Sequence, residues 1–281
     1  MRAGEVADVP VVLKLEQLQV TGTFKARGAF NLLLSRDVPP AGIVAASGGN
    51  FGLAIAHAAR ELGHPATVFV PSTSPATKKD GLRSVGANVI EVDGQYPEAL
   101  TAAEEHLAEH GGLWTHAFDL PEVVAGAGTV AKEFEEQATF DTVLVAVGGG
   151  GLIGGVAAWL QDRRRVVAVE TEGTPTLHRA RQAGEPVDVE LSGLAVSSLG
   201  ARTIGELCWS QREFIDKSVL VTDEAVVDAR RALWSACRVV AEPGGAAALA
   251  ALRSGAYVLQ SGERVGVLVC GANTDPGEVA G

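Results

Sequence analysis

The chain has 281 residues, 47% of them hydrophobic, with 34 glycines, 12 prolines and a formal net charge of −11. This is the composition of a turn-rich globular protein, large enough for one big domain or two ordinary ones, and it excludes a disordered chain. The acidic balance argues against a nucleic-acid or anionic-membrane partner. The three cysteines, Cys208, Cys237 and Cys270, make neither a disulfide framework nor a zinc knuckle, and the opening MRAGEVADVP lacks the apolar core of a signal peptide. With no apolar run of membrane length, the expectation is a protein of the reducing cytoplasm.

In chain order, strands are predicted over 11–15, 43–46, 66–70, 88–92, 142–147, 166–170, 218–221 and 264–269. Most are apolar throughout rather than alternating, the pattern of parallel strands buried on both faces. A helix is predicted from about Phe24, and others over 50–62, 98–110, 122–137, 152–162, 223–238 and 244–253. The alternation predicts an α/β fold with parallel sheet. In such folds ligands gather at the carboxyl ends of the strands. The unusual loops there are SGGN after 43–46, GGGGL after 142–147, ETEGTP after 166–170 and CGANTD after 264–269.

Three loops and one helix start carry candidate chemistry. In VLVAVGGGGLIGG, Gly149, Gly151 and Gly154 satisfy G-x-G-x-x-G, and Glu170 follows Gly149 by 21 residues, about where a ribose-binding acid stands. The same loop can bind a lone phosphate through backbone N–H groups at a helix N-terminus, or be a plain tight turn. Taken alone, it leaves all three readings open. Lys25 sits in the first turn of its helix, where the dipole disfavours a cation. An amine held that way suits Schiff-base chemistry, although an ordinary surface lysine is the alternative. In the 45–52 stretch, Ser47, Gly48 and Gly49 offer donors to a carboxylate, and Asn50 is either a helix cap or an amide partner for a planar ring. Cys270 closes an apolar strand, as a small buried hydrophobe or as a neutral partner for a ring nitrogen.

Together these residues resemble the fold-type II pyridoxal-phosphate enzymes, and within them the serine/threonine dehydratases. TGTFKARGA is similar to the family's cofactor-lysine motif, SGGNFG to its asparagine loop, GGGGL to its phosphate glycines, AEPGGAAALAAL to its late helix and CGAN to its pyridine-nitrogen position. The resemblance covers nearly the whole chain. It implies two open, twisted, mostly parallel α/β domains with pyridoxal 5'-phosphate between them. Residues 1–41 and 121–281 would form the large domain and 42–120 the small one. It also implies that Lys25 carries the cofactor and moves protons, that Phe24 packs on a ring face, and that Asn50 bonds the ring hydroxyl. Ser47, Gly48, Gly49 and Asn50 would bind the substrate. Gly148, Gly149, Gly150, Gly151 and Leu152 would hold the phosphate, and Cys270 would face the ring nitrogen. The implied activity is dehydration and deamination of L-serine or L-threonine to a 2-oxo acid and ammonia, in a homodimer.

Departures from the family pattern narrow the subclass. β-Replacing relatives carry an aspartate after the lysine, where this chain has Ala26. Serine racemases carry a second serine where this chain has Gly48, which argues against racemisation. In the family's E-P-x-x-x-x-D cation stretch Glu170 is retained but Thr176 stands at the aspartate position, so the metal is left undetermined. Ala127 replaces a glutamine common in relatives. No regulatory domain follows the last motif, and the leading helix and strand of the family are missing or divergent, so a shortened form with impaired stability or activity is one expectation. The competing readings are another β-eliminating or β-replacing lyase, a nicotinamide-dependent oxidoreductase using the G-x-G-x-x-G loop, and an inactive binding homologue.

Overall fold

The computed structural model describes residues 6, 7 and 9–280. The chain packs as two compact units, one of Met1–Phe24 with Ala127–Gly281, the other of Lys25–Gly126. In chain order, β1 (Val11–Leu15) leads through two short 3-10 turns to α1 (Lys25–Ser35), β2 (Ile43–Ala46), α2 (Asn50–Glu61), β3 (Ala66–Pro71) and α3 (Ala76–Ser84). Next come β4 (Asn88–Val92), α4 (Tyr96–His110), β5 (Leu113–Trp114), α5 (Pro121–Gln137), β6 (Thr142–Ala146) and α6 (Gly151–Leu160). The chain continues through β7 (Arg165–Thr171), α7 (Thr176–Ala183), α8 (Val196–Leu199), α9 (Glu206–Ser210) and β8 (Lys217–Val221). It closes with α10 (Asp223–Cys237), α11 (Pro243–Arg253), β9 (Val265–Val269) and α12 (Gly277–Ala280).

Both sheets are parallel, as the continuous apolar runs predict. The larger unit has the strand order β1-β9-β6-β7-β8. Its central strands β6 and β9 are buried at every position, whereas the edge strand β8 keeps exposed and half-buried residues. Burial on both faces explains why Val143, Leu144, Val145, Val267 and Leu268 show no polar alternation. On the edge strand β1, the buried Lys14 is satisfied by Glu133 and by Gln137 (2.8 Å) of α5, with Glu16 at 3.6 Å.

The smaller unit has the order β4-β3-β2-β5. Its sheet separates two apolar clusters by the two-residue period of a strand. Ile43, Ala45, Val68 and Val70 face one cluster with residues of α1 and α2, while Val44 and Phe69 face the other with Ala99 and Ala103 of α4. On α2, Phe51, Ala54, Ile55, Ala58 and Ala59 are all buried, at the spacing of one helical face. The fold is thus α/β, as expected. The elements named from the sequence do not include α3, α7, β5 or the short helices α8, α9 and α12: α3 buries only Leu82, and β5 is two residues long. Among the described residues no helix is long and apolar enough to cross a membrane.

Leu144 is fully buried in the centre of the larger sheet. Leu144→Ala should lower unfolding free energy by about 2–5 kcal/mol, measured by denaturant titration.

Candidate active site

In the smaller unit the structure brings Lys25 and the asparagine loop together. Lys25 is the first residue of α1. Its Nζ donates to the carbonyl of Ala117 at 2.6 Å and lies 5.8 Å from the centroid of the Phe51 ring. Phe51 directly follows Asn50, and α2 begins at Asn50 with Gly49 as its N-cap. Asn50 is therefore not the cap. The capping role passes to Ser47, whose Oγ accepts from the backbone N–H of Gly52 at 3.1 Å. That bond uses an acceptor site of the hydroxyl and leaves its proton for a carboxylate. Gly52 must be glycine, because a Cβ there would meet the Ser47 carbonyl oxygen at 1.8 Å.

The loop ahead of α5 supplies the partner of Lys25, and no local sequence signal links the two across 92 residues. Its conformation rests on His116, whose Nδ1 accepts from the N–H of Asp119 (3.0 Å) and of Phe118 (3.4 Å). An Nδ1 that accepts places the ring proton on Nε2. Burial pushes His116 below the usual histidine range, opposed by Asp119 and reinforced by Lys25. The imidazole beside the lysine is therefore neutral.

In the larger unit, parallel pairing carries the ends of β6, β7 and β9 to one edge of the sheet. Cys270 follows β9, is buried, and donates its thiol to the carbonyl of Gly244 at 3.4 Å. Its own carbonyl accepts from the N–H of Phe24 at 3.0 Å, and Thr23 bridges Gly271, so Phe24 and Cys270 are held side by side. Phe24 packs against the core of this unit.

The glycine loop follows β6. Its carbonyls are all taken: Gly148 accepts from Thr176 Oγ1 (2.6 Å), Gly149 from the N–H of Gly205 (3.0 Å), and Gly150 from the N–H of Gly154 (2.7 Å). In a trans peptide, fixing a carbonyl turns the next N–H to the opposite side. The directions of the Gly149, Gly150 and Gly151 amides are thereby set. Gly150 is the N-cap of α6 with φ +89°, and α6 begins without a side-chain cap. The amides of its first turn have no intrahelical partner, which makes an anion site. Close backing restricts side chains here: a Cβ on Gly148 would make a tight 3.1 Å contact with Leu199 Cα, and one on Gly150, whose φ is already positive, would lie 2.6 Å from Cys208 Sγ. A Cβ on Gly244 would meet Leu199 Cδ2 at 2.9 Å, so Leu199 links the glycine loop to the residue that bonds Cys270. Backbone amides from four residues without side chains suit a phosphate, and the Cys270 thiol suits a ring nitrogen as a weak hydrogen-bonding partner. The residues present fit pyridoxal 5'-phosphate.

Glu170 does not serve as a surface ligand. It is fully buried, and its carboxylate accepts from the N–H of Leu177 (2.7 Å), the N–H of His178 (2.8 Å) and Ser218 Oγ (2.7 Å). Among the described residues no cluster of three His, Cys, Asp or Glu could hold a metal ion. Burial pushes the Glu170 carboxyl up to about 7 from 4.5, against the hydrogen bonds of Ser218, Leu177, His178 and Thr176.

Two outcomes follow from this geometry. A carboxyl raised in the folded state favours folding when neutral, fully below about pH 4.5, and that contribution is lost as pH rises through about 7. The stability advantage of wild type over Glu170→Gln should therefore fall by on the order of 3 kcal/mol between about pH 4.5 and 8 in denaturant titrations; a constant difference would contradict the burial argument. Gly150→Ala should lower the affinity for pyridoxal 5'-phosphate at least about tenfold in equilibrium dialysis, because both the left-handed backbone and Cys208 oppose a side chain there.

Comparison with known proteins agrees with this chemistry. The family model described as pyridoxal-phosphate dependent enzyme matches residues 2–271. An L-threonine ammonia-lyase of Geobacter sulfurreducens is 37% identical over 282 residues, covering 96% of this chain and 69% of that protein. The solved processed form of threonine deaminase isoform 2 from Solanum lycopersicum superposes with a TM-score of 0.92 at 28% identity, covering 100% of this chain and 80% of that one. Maize serine racemase superposes with a TM-score of 0.91 at 29% identity, over 98% of this chain and 87% of that one. The chain belongs to the pyridoxal-phosphate-dependent enzymes of fold type II, the family that uses pyridoxal 5'-phosphate as its cofactor.

Proposed function

We propose that the protein is an L-threonine/L-serine ammonia-lyase, which removes the β-hydroxyl and the amino group to give a 2-oxo acid and ammonia. The observation that carries this reading is the 37% identity to an L-threonine ammonia-lyase along 96% of the chain. Lys25, Asn50, the glycine loop and Cys270 all lie within residues 2–271, which the family model matches.

When bound, the cofactor supplies an electron sink for the carbon from which the α-proton leaves. The chain's residues do the rest. Lys25 would hold the cofactor through its amine, and its Nζ would accept the α-proton as general base. The Ala117 carbonyl gives the amine a fixed resting position, and the neutral His116 adds no competing charge beside it. Asn50 presents its amide to the ring hydroxyl. The Ser47 proton and the Gly48 and Gly49 amides receive the substrate carboxylate. The amides of Gly148–Leu152 hold the phosphate at the start of α6. Cys270 would face the ring nitrogen with a thiol where a carboxylate would hold that nitrogen protonated, which favours loss of the β-hydroxyl over transamination.

The likeness to serine racemase does not extend to this proposal, because Gly48 brings no hydroxyl to the second face of the substrate. A homodimer in the cytoplasm is the assembly and location we propose on family precedent.

Lys25→Ala should lose at least about a thousandfold in 2-oxobutanoate formation from L-threonine, followed by a coupled assay. Full activity in this variant would remove Lys25 from its role. Wild-type protein incubated with L-serine should form pyruvate and no D-serine on chiral chromatography; accumulation of D-serine would favour the racemase reading.

A further inference from the structure

Glu170 and Thr176 stand where relatives carry a cation stretch, yet their hydrogen bonding is of another kind. A cation needs the lone pairs of a carboxylate. Here three of its four lone-pair sites face donors: Leu177 N–H on Oε1, and His178 N–H and Ser218 Oγ on Oε2. Leu177 and His178 belong to the first turn of α7, so Glu170 caps that helix from the neighbouring strand. Ser218 comes from β8, which pairs with β7 next to Glu170. The capped helix begins at Thr176, which is fully buried.

Thr176 has one hydroxyl hydrogen and two oxygens within reach. Gly148 O lies at 2.6 Å and Glu170 Oε1 at 3.3 Å. The shorter contact takes the hydrogen. The bond therefore runs from the capped helix to the first carbonyl of the glycine loop, across the adjacent ends of β7 and β6. Fixing the Gly148 carbonyl fixes the plane of the Gly148–Gly149 peptide and so the direction of the Gly149 amide. On its other side Gly148 is backed by Leu199.

We propose that Thr176 is a positioning residue for the cofactor phosphate: held in place by the Glu170 cap on α7, its hydroxyl locks the Gly148 carbonyl and aims the loop amides, with no divalent cation required. This rests on the reading of 148–152 as the phosphate cradle. The side chain acts through the loop and touches no substrate atom.

The test is equilibrium dialysis of the full chain against pyridoxal 5'-phosphate in EDTA, for wild type, Thr176→Val and Thr176→Ser. Wild type is expected to bind in EDTA. Thr176→Val, nearly the same shape but without the hydroxyl, should bind about tenfold more weakly, the loss of one buried hydrogen bond. Thr176→Ser, which keeps the donor, should return to within about twofold of wild type. A loss of packing alone would weaken Ser as much as Val. Equal affinity for Val and wild type overturns the assignment, as does release of the wild-type cofactor by EDTA that added magnesium reverses. If Thr176→Val does not fold, Thr176→Ala is compared with Thr176→Ser, and equal affinities overturn the proposal in the same way. A folded wild type that does not bind the cofactor overturns the phosphate reading itself, a result distinct from failure of Thr176 alone.

Discussion

Parallel pairing in register is the constraint on which the rest of the larger unit depends. Val143 pairs with Gly266 on one side and Val166 on the other, so β9, β6 and β7 run together and end together. Each strand then leaves the sheet at the same edge. Cys270, the glycine loop and Glu170 come from parts of the sequence more than a hundred residues apart at the extremes, and the sheet delivers all three to one edge. The cost is that the interiors of the central strands β6 and β9 must be apolar, which is why these segments read as valine, leucine, alanine and glycine.

Once the strands are fixed, the loops follow from close approach. Gly148 and Gly150 are pressed against Leu199 and Cys208, and Gly245 against the Gly271 carbonyl, where a Cβ would lie at 2.2 Å. Such packing leaves backbone as the only available chemistry on the loop. Backbone amides fixed by bonded carbonyls are already arranged for an anion and need little reorganisation when one arrives. The smaller unit uses the same logic on a smaller scale. Ser47 closes the turn into α2, Gly52 leaves room for it, and Phe51 and Ala117 flank Lys25.

Much of this was legible in the sequence because the signals are local. Strands with no polar alternation, a glycine run ahead of an apolar helix, and a lysine at a helix start are each set by neighbours within a few residues. The α2 face from Phe51 to Ala59 is equally plain. What was not legible depends on distant partners. His116 and Ala117 approach Lys25 through the fold, α7 lacks an apolar stripe strong enough to declare it, and β5 is too short to show a period. Glu170 is the clearest case. Its spacing from the glycine loop suits a ribose ligand and its motif suits a cation ligand. Only its neighbours reveal a buried carboxyl that caps a helix, because a hydrogen-bond donor and a metal ion compete for the same lone pairs.

Lys25, proposed to carry the cofactor, is the residue on which the chemistry of the site depends. The most direct measurement is borohydride reduction of the purified, cofactor-loaded protein followed by mass mapping of its peptides. Reduction should remove a visible absorption band and leave a single pyridoxyl-modified peptide in which Lys25 bears the label. A colourless protein with Lys25 unmodified, or a label on another lysine, would contradict that role.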